Sequence, residues 1–219
     1  MEENIIFNIF DDNLKLEVKK SCIGNIKQDK YLSGGSTGEV VSACLDNENN
    51  CIHVVKIIDT ENAEYDEQKF EREISMTKVA DKLGIGPKFI RSAECPTFDG
   101  NNEVLYKFII LEKFDKTLGD YLEKMNTEEQ ATSLSKALLE LIKKCYEYRF
   151  CHGDLYYPET KDINEGNIML NFDFFGNVKE AKLIDFEHSK SVCDDANELK
   201  KEWCGVIKYL RKEYKLLKE

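Results

Sequence analysis

Three short clusters between Cys151 and Glu187 constrain this chain more than any other feature. They read Cys151-His152-Gly153-Asp154-Leu155, then Asn167-Ile168-Met169-Leu170, then Leu183-Ile184-Asp185-Phe186-Glu187. Each polar residue adjoins an apolar, strand-like run. A fold must therefore bury the runs while presenting Asp154, Asn167 and Asp185 at their ends. An isolated Asp or Asn is ordinarily turn chemistry or a helix cap. Three in this order, each beside such a run, call for more. A carboxylate that orients a hydroxyl and accepts its proton, followed by two oxygen donors suited to magnesium, accounts for all three. His152 reads as a packing histidine.

A second set lies upstream. Ser33-Gly34-Gly35-Ser36-Thr37-Gly38-Glu39-Val40 reads as strand, glycine turn, strand. Only glycine lets backbone N–H donors approach a triphosphate closely. The turn is not a Walker loop, because no Gly-Lys-Ser/Thr follows. Lys56 sits in the apolar strand Val54-Val55-Lys56-Ile57, where a cation can neutralise phosphate charge. Glu73, on the helix after that strand, is its expected partner, and Glu71 is the solvent-facing glutamate.

The rest of the chain supplies the frame. Residues 1–30 alternate weakly and suggest a strand or two. The segments 31–45, 51–58, 88–93 and 104–111 read as strands, with a polar turn at 46–50 and a loop at Asp99-Gly100. Ala63–Leu83 has helical spacing and is stopped by Gly84-Ile85-Gly86-Pro87. Beyond a short polar connector, Leu118–Met125 and Glu128–Phe150 are helical, with Thr127 and Gln130 forming a capping box. A final amphipathic helix spans 194–218 through Leu199, Trp203, Val206 and Leu210. The expected architecture is α+β: a five-stranded lobe with one helix over 1–112, and a helical lobe over 113–219.

Composition closes off several function classes. A net charge of −11 opposes a nucleic-acid backbone as partner and favours a basic protein partner. The eight cysteines form no CxxC pair and there are three histidines, so a zinc site is not expected. Nothing at the N-terminus resembles a signal peptide and no run is long enough to span a membrane. Free thiols, a cytoplasmic location and a monomer are expected.

Taken together, Ser33–Val40, Lys56, Glu73, His152-Gly153-Asp154, Asn167 and Asp185-Phe186-Glu187 resemble the protein-kinase superfamily. The resemblance implies a bilobal fold with a truncated helical C-lobe, binding ATP and Mg2+ in its cleft. It implies that Asp154 is the catalytic base, that Lys56 and Glu73 orient the phosphates, and that Asn167 and Asp185 hold metal. Ser33, Gly34, Gly35 and Gly38 would cover the phosphates. Glu112 to Phe114 would be the hinge that bonds adenine, with Leu111 as gatekeeper and Val40, Val54 and Met169 sandwiching the base.

The sequence also departs from the family pattern. Gly153 stands where an arginine is usual, and Asp-Phe-Glu replaces Asp-Phe-Gly. Asp154 and Asn167 are thirteen positions apart, against five in the family pattern. The extra residues, 156–165, are expected to bulge at the mouth of the site, with Tyr156 in the place of a lysine and Lys161 able to reach back. No Ala-Pro-Glu follows Glu187 and 32 residues remain. This economy resembles the minimal kinases of bacterial type III effectors and large viruses, some switched on by a host partner or secreted into a host cytoplasm. The expected activity is transfer to serine or threonine of a protein. Its rivals are a small-molecule kinase of aminoglycoside or choline type, and a pseudokinase that binds a partner.

Overall fold

The computed structural model describes residues 3–9, 14–35, 38–45, 50–99, 102–193 and 196–217. Ser36 and Thr37 of the glycine turn, most of the polar turn after Leu45, and Gly100 lie outside these ranges. The chain divides into two compact units. One comprises 1–67 and 88–113, the other 68–87 and 114–219.

The first unit is built on a single antiparallel sheet. In chain order its strands are β1 (Asn4–Ile9), β2 (Leu14–Lys19), β3 (Ile26–Gly35), β4 (Gly38–Leu45), β5 (His53–Asp59), β6 (Phe89–Asp99) and β7 (Asn102–Glu112), with a one-turn helix α1 (Lys20–Ile23) after β2. They pair in the order β1-β2-β6-β7-β5-β4-β3. This is two strands more than expected, because the weak alternation of the first residues becomes a full hairpin with Phe7 opposite Leu16. Phe7, Leu16 and Val18 are completely buried.

Period-two alternation explains the core. Val41, Val55, Ile57, Phe108 and Ile110 point to one face and pack with Phe7, Ile9 and Leu16. The two edge strands meet through one side chain. The Gln28 amide on β3 accepts from the Asn8 N–H of β1 at 2.6 Å and donates to the Asn8 carbonyl at 2.9 Å. An open sheet edge invites pairing with other chains, and this contact helps close it.

The second unit takes up helix α2 (Glu67–Leu83) from Gln68 onward, and so groups it with the later helices rather than with the sheet that precedes it in sequence. It starts four residues later than the spacing predicts. Asn62 is the reason: its side chain accepts from the Glu64 N–H at 2.9 Å and its carbonyl from the Tyr65 N–H at 2.9 Å, making a turn of residues 62–65. Gly84 (φ 66°) ends α2, and the amides of Ile85 and Gly86 both bond the Ala80 carbonyl.

The chain then adds β8 (Lys116–Thr117), α3 (Leu118–Leu122), α4 (Glu128–Tyr148), a small hairpin β9 (Tyr156–Tyr157) and β10 (Asp162–Ile163), strands β11 (Ile168–Phe172) and β12 (Val178–Leu183), and helix α5 (Ala196–Tyr214). The capping box at Thr127 and Gln130 is formed on both sides. Helix α5 stops short of the expected Lys218, since Lys215 turns left-handed (φ 55°) and the Leu216 amide folds back to the Leu210 carbonyl. One apolar core joins α2, α4, β11, β12 and α5 through Ala80, Leu138, Leu141, Leu170, Leu183, Trp203 and Val206.

The cysteines depart from the expectation of free thiols. Three pairs are bridged, Cys22–Cys95, Cys44–Cys51 and Cys151–Cys193, while Cys145 and Cys204 are free. The bridged residues have no diagnostic spacing because the fold, not the local sequence, brings them together. No helix among the described residues is long and apolar enough to cross a membrane.

Candidate active site

The loop carrying Asp154 is pinned at both ends by apolar residues. Helix α4 terminates at Arg149, left-handed at φ 53°, and the chain drops Phe150 and Cys151 into the core. Leu155, fully buried, anchors the far side. Asp154 is left half-buried between these anchors.

Two amides grip its carboxylate. Asn164 Nδ2 donates to Asp154 Oδ2 at 2.9 Å and Asn167 Nδ2 to the same oxygen at 3.0 Å. Asn167 Nδ2 also donates to the Asp154 carbonyl at 3.1 Å. Hydrogen bonds to a carboxylate fix its orientation. Asn167, 6% exposed, closes a 3-10 turn (Glu165–Asn167) that leads into β11.

The third polar residue arrives by strand pairing. Ile168 of β11 lies opposite Leu183 of β12, and the Ile184 N–H bonds the Asn167 carbonyl at 3.0 Å. Asp185 follows at once in the left-handed region (φ 64°). Such a conformation costs a non-glycine residue about 1–3 kcal/mol and persists only where the surroundings fix it. Here Phe186 supplies that hold. It is 1% exposed and meets Phe150 edge-on at 5.8 Å and the His152 ring at 5.4 Å. Glu187 forms an ion pair with Lys69 of α2 and lies 2.9 Å from His188 Nε2.

His152 is completely buried and bonds the Ile184 carbonyl through Nε2 at 2.7 Å. Burial pushes its pKa down, so it is neutral, donates from Nε2 and acts in packing.

Gly153 shows why the usual arginine is absent. Its φ is 86°, and a Cβ there would lie 2.6 Å from the His188 carbonyl oxygen. The loop is drawn against 188–193 by paired backbone bonds between Cys151 and Lys190 and by Ser189 Oγ donating to the His152 carbonyl at 2.8 Å.

Helix α5 completes the loop. Glu202 accepts from the His152 N–H at 3.1 Å and the Gly153 N–H at 2.8 Å. Burial pushes its carboxyl upward, against the lowering effect of these backbone donors. Sequence reasoning missed Glu202, although it lies on the apolar stripe of Leu199, Trp203 and Val206, where an unexplained acid is a signal. It also missed Asn164, which carries no such mark.

The inserted residues form the hairpin β9–β10, with Lys161 exposed at its left-handed turn (φ 61°). The insertion reaches Asp154 instead through Asn164, whose Nδ2 also bonds Tyr157. The Tyr157 hydroxyl accepts from Asn164 Nδ2 at 3.1 Å, and burial, with the Asp154 carboxylate nearby, raises its pKa.

In the first unit the other candidates share one sheet face. Val40 lies opposite Lys56, and Val54 opposite Leu111, so all four turn away from the core that takes Val41, Val55 and Ile110. Ser33 and Gly34 pair with Val40 and Glu39, and Gly35 with Gly38. Gly38 (φ 144°) would place a Cβ 2.5 Å from the Ile57 carbonyl oxygen, so only glycine fits. The Glu112 and Lys113 amides bond the carbonyls of Lys88 and Ile52. In the second unit Phe114 is buried and Met169 half-buried, while Glu73 is 6% exposed and Glu71 is solvent-facing.

The model of the protein kinase domain matches residues 26–214, from the start of β3 to the end of α5. The chain belongs to the protein kinase domain family. No curated protein matches it. Membership brings the coarse activity, phosphotransfer, and protein kinase domains generally use ATP and Mg2+. The donor set of this kinase fits magnesium. Asn167 turns its amide nitrogen to Asp154, so its oxygen would serve a cation, with the Asp185 carboxylate as the second ligand. Magnesium takes one or two such oxygens and completes its shell with phosphates and water. No cluster of three His, Cys, Asp or Glu side chains among the described residues offers a self-sufficient metal cage.

Proposed function

We propose that this kinase transfers the γ-phosphoryl group of ATP to a serine or threonine hydroxyl of a protein. The observation that carries the reading is the clamp on Asp154. Two amides hold one carboxylate oxygen, one of them from Asn167, whose backbone carbonyl is tied to the residue before Asp185.

Asp154 orients the acceptor hydroxyl and takes its proton. Bound magnesium, held by Asn167 and Asp185, would neutralise charge developing on the phosphates. Lys56 contributes positive charge to the α- and β-phosphates with Glu73 as its orienting partner, and the 33–38 turn supplies backbone donors. Val40, Val54, Met169 and the 112–114 backbone take the adenine. Residues 1–112 and 113–219 serve as nucleotide-binding and catalytic lobes. The kinase is a minimal one. Helix α5 begins at Ala196, soon after Glu187, and its Glu202 supports the catalytic loop directly. Its partners are an acceptor protein or an activating protein of basic character, met by a monomer.

The decisive experiment is labelled ATP with protein and metabolite acceptors, wild type beside Asp154→Ala. The variant is expected to lose at least about a hundredfold in transfer while nucleotide still shifts its melting temperature. Retained transfer in Asp154→Ala defeats the assignment of the base, and labelling confined to metabolites defeats the protein acceptor.

A further inference from the structure

A transferring kinase must bring a hydroxyl within hydrogen-bond reach of its base, about 2.6–3.2 Å between heavy atoms. Here the chain holds a hydroxyl of its own beside that base, one shared amide away. Tyr157 lies on β9 of the inserted hairpin, and one nitrogen, Asn164 Nδ2, donates both to Asp154 Oδ2 at 2.9 Å and to the Tyr157 hydroxyl at 3.1 Å. The phenol oxygen and the base are therefore neighbours around a single amide. The phenol keeps its proton at neutral pH, because burial and the neighbouring Asp154 carboxylate both raise its pKa.

The hairpin selects this tyrosine over its neighbour. Successive strand residues point to opposite faces. Tyr156 packs its ring on Gly205 of α5, where even a Cβ would meet it at 2.4 Å. Tyr157 faces Asp154 instead, and its side of the hairpin is open to solvent. The placement is held by the pairing of Tyr157 with Asp162, by the Lys161 N–H bonding the Tyr157 carbonyl at 2.8 Å, and by the Asn164 N–H bonding the Leu155 carbonyl at 3.0 Å.

We propose that Tyr157 is a site of self-phosphorylation within the same molecule. The inference rests on the phosphotransfer reading above. In the step, the Tyr157 oxygen forms a bond to the γ-phosphorus of ATP and the bond from that phosphorus to the β-phosphate oxygen breaks. The phenolic proton passes to Asp154 and ADP leaves. The product carries a phosphate of charge near −2 beside Asp154 and Asp162, and this repulsion drives the hairpin off the base and clears the acceptor position.

The test incubates the full chain with Mg–ATP over a wide range of protein concentrations, measuring ADP release and mapping phosphosites by fragmentation mass spectrometry. Nucleotide binding is measured separately by thermal shift. The expected result is stoichiometric phosphate on Tyr157 and none on Tyr156, with a first-order rate constant independent of protein concentration. The modification is lost in Asp154→Ala, and in Tyr157→Phe the stoichiometric phosphate disappears. The wild-type map does not depend on either variant folding. Phosphate transferred to other residues or to an added acceptor, with Tyr157 bare, overturns the proposal and leaves the kinase reading standing. A rate constant that grows with concentration overturns the intramolecular step. No ADP release under any condition sinks both.

Discussion

Glu202 is an acid whose charged form the fold disfavours. Burial raises its carboxyl pKa above the ordinary 4.5, while the His152 and Gly153 amides pull it down without cancelling the rise. A folded-state pKa above the unfolded one means the native state binds the extra proton. Its stabilising effect is therefore complete below 4.5 and is lost as pH rises through the folded value. Wild-type stability relative to Glu202→Gln should accordingly grow as pH is lowered from about 7 toward 4.5. Urea midpoints across that range measure it, and a constant difference removes Glu202 as the titrating group. Truncation acts differently. Glu202→Ala leaves two loop amides without their acceptor and should cost about 2–4 kcal/mol, with transfer falling as Asp154 loses its support. His152 shows the same environment from the other side, being a base kept neutral by burial.

At the scale of elements, the 151–155 loop and the 186–193 segment behave as one piece, and Gly153 is the contact that decides how close they come. Alanine there must adopt φ 86° and press its Cβ on the His188 carbonyl. Gly153→Ala should cost on the order of 1–3 kcal/mol and depress transfer, while Gly153→Arg, although it restores the usual family residue, should do worse. Thermal melting and initial rates report both, and a stable, active Gly153→Arg would contradict the close approach. This contact also marks where sequence reading stops. The strands around Lys56 and Asp185 were legible because alternation and apolar runs are local signals. The apolar anchors of the 151–155 loop were legible for the same reason. The first hairpin was faint because Leu14, Leu16 and Val18 alternate over a short span, and its full pairing depends on Phe7 and Ile9 packing with Leu16 and Val18 in the core. The insertion was legible in length but not in role. That Asn164, rather than Lys161, meets Asp154 follows from the handedness of a turn at Lys161, which no neighbouring residue announces.

At the scale of the molecule, charge is the property that acts beyond any single contact. A net −11 on 219 residues sets up a field that raises the local concentration of cationic partners and repels anionic ones. Such a field decays over about 10 Å at 0.1 M salt, so its effect belongs to encounter and weak binding rather than to the chemical step. A serine peptide flanked by Lys and Arg should therefore be a better acceptor than its acidic counterpart, through KM more than kcat. Raising salt from about 50 to about 500 mM should increase KM for the basic peptide several-fold, leave kcat nearly constant, and lower KM for the acidic one. Steady-state kinetics on the two peptides at both ionic strengths check this. If the basic peptide's KM does not move with salt, recognition lies in close contacts at the site, and the acidic surface is there for solubility alone.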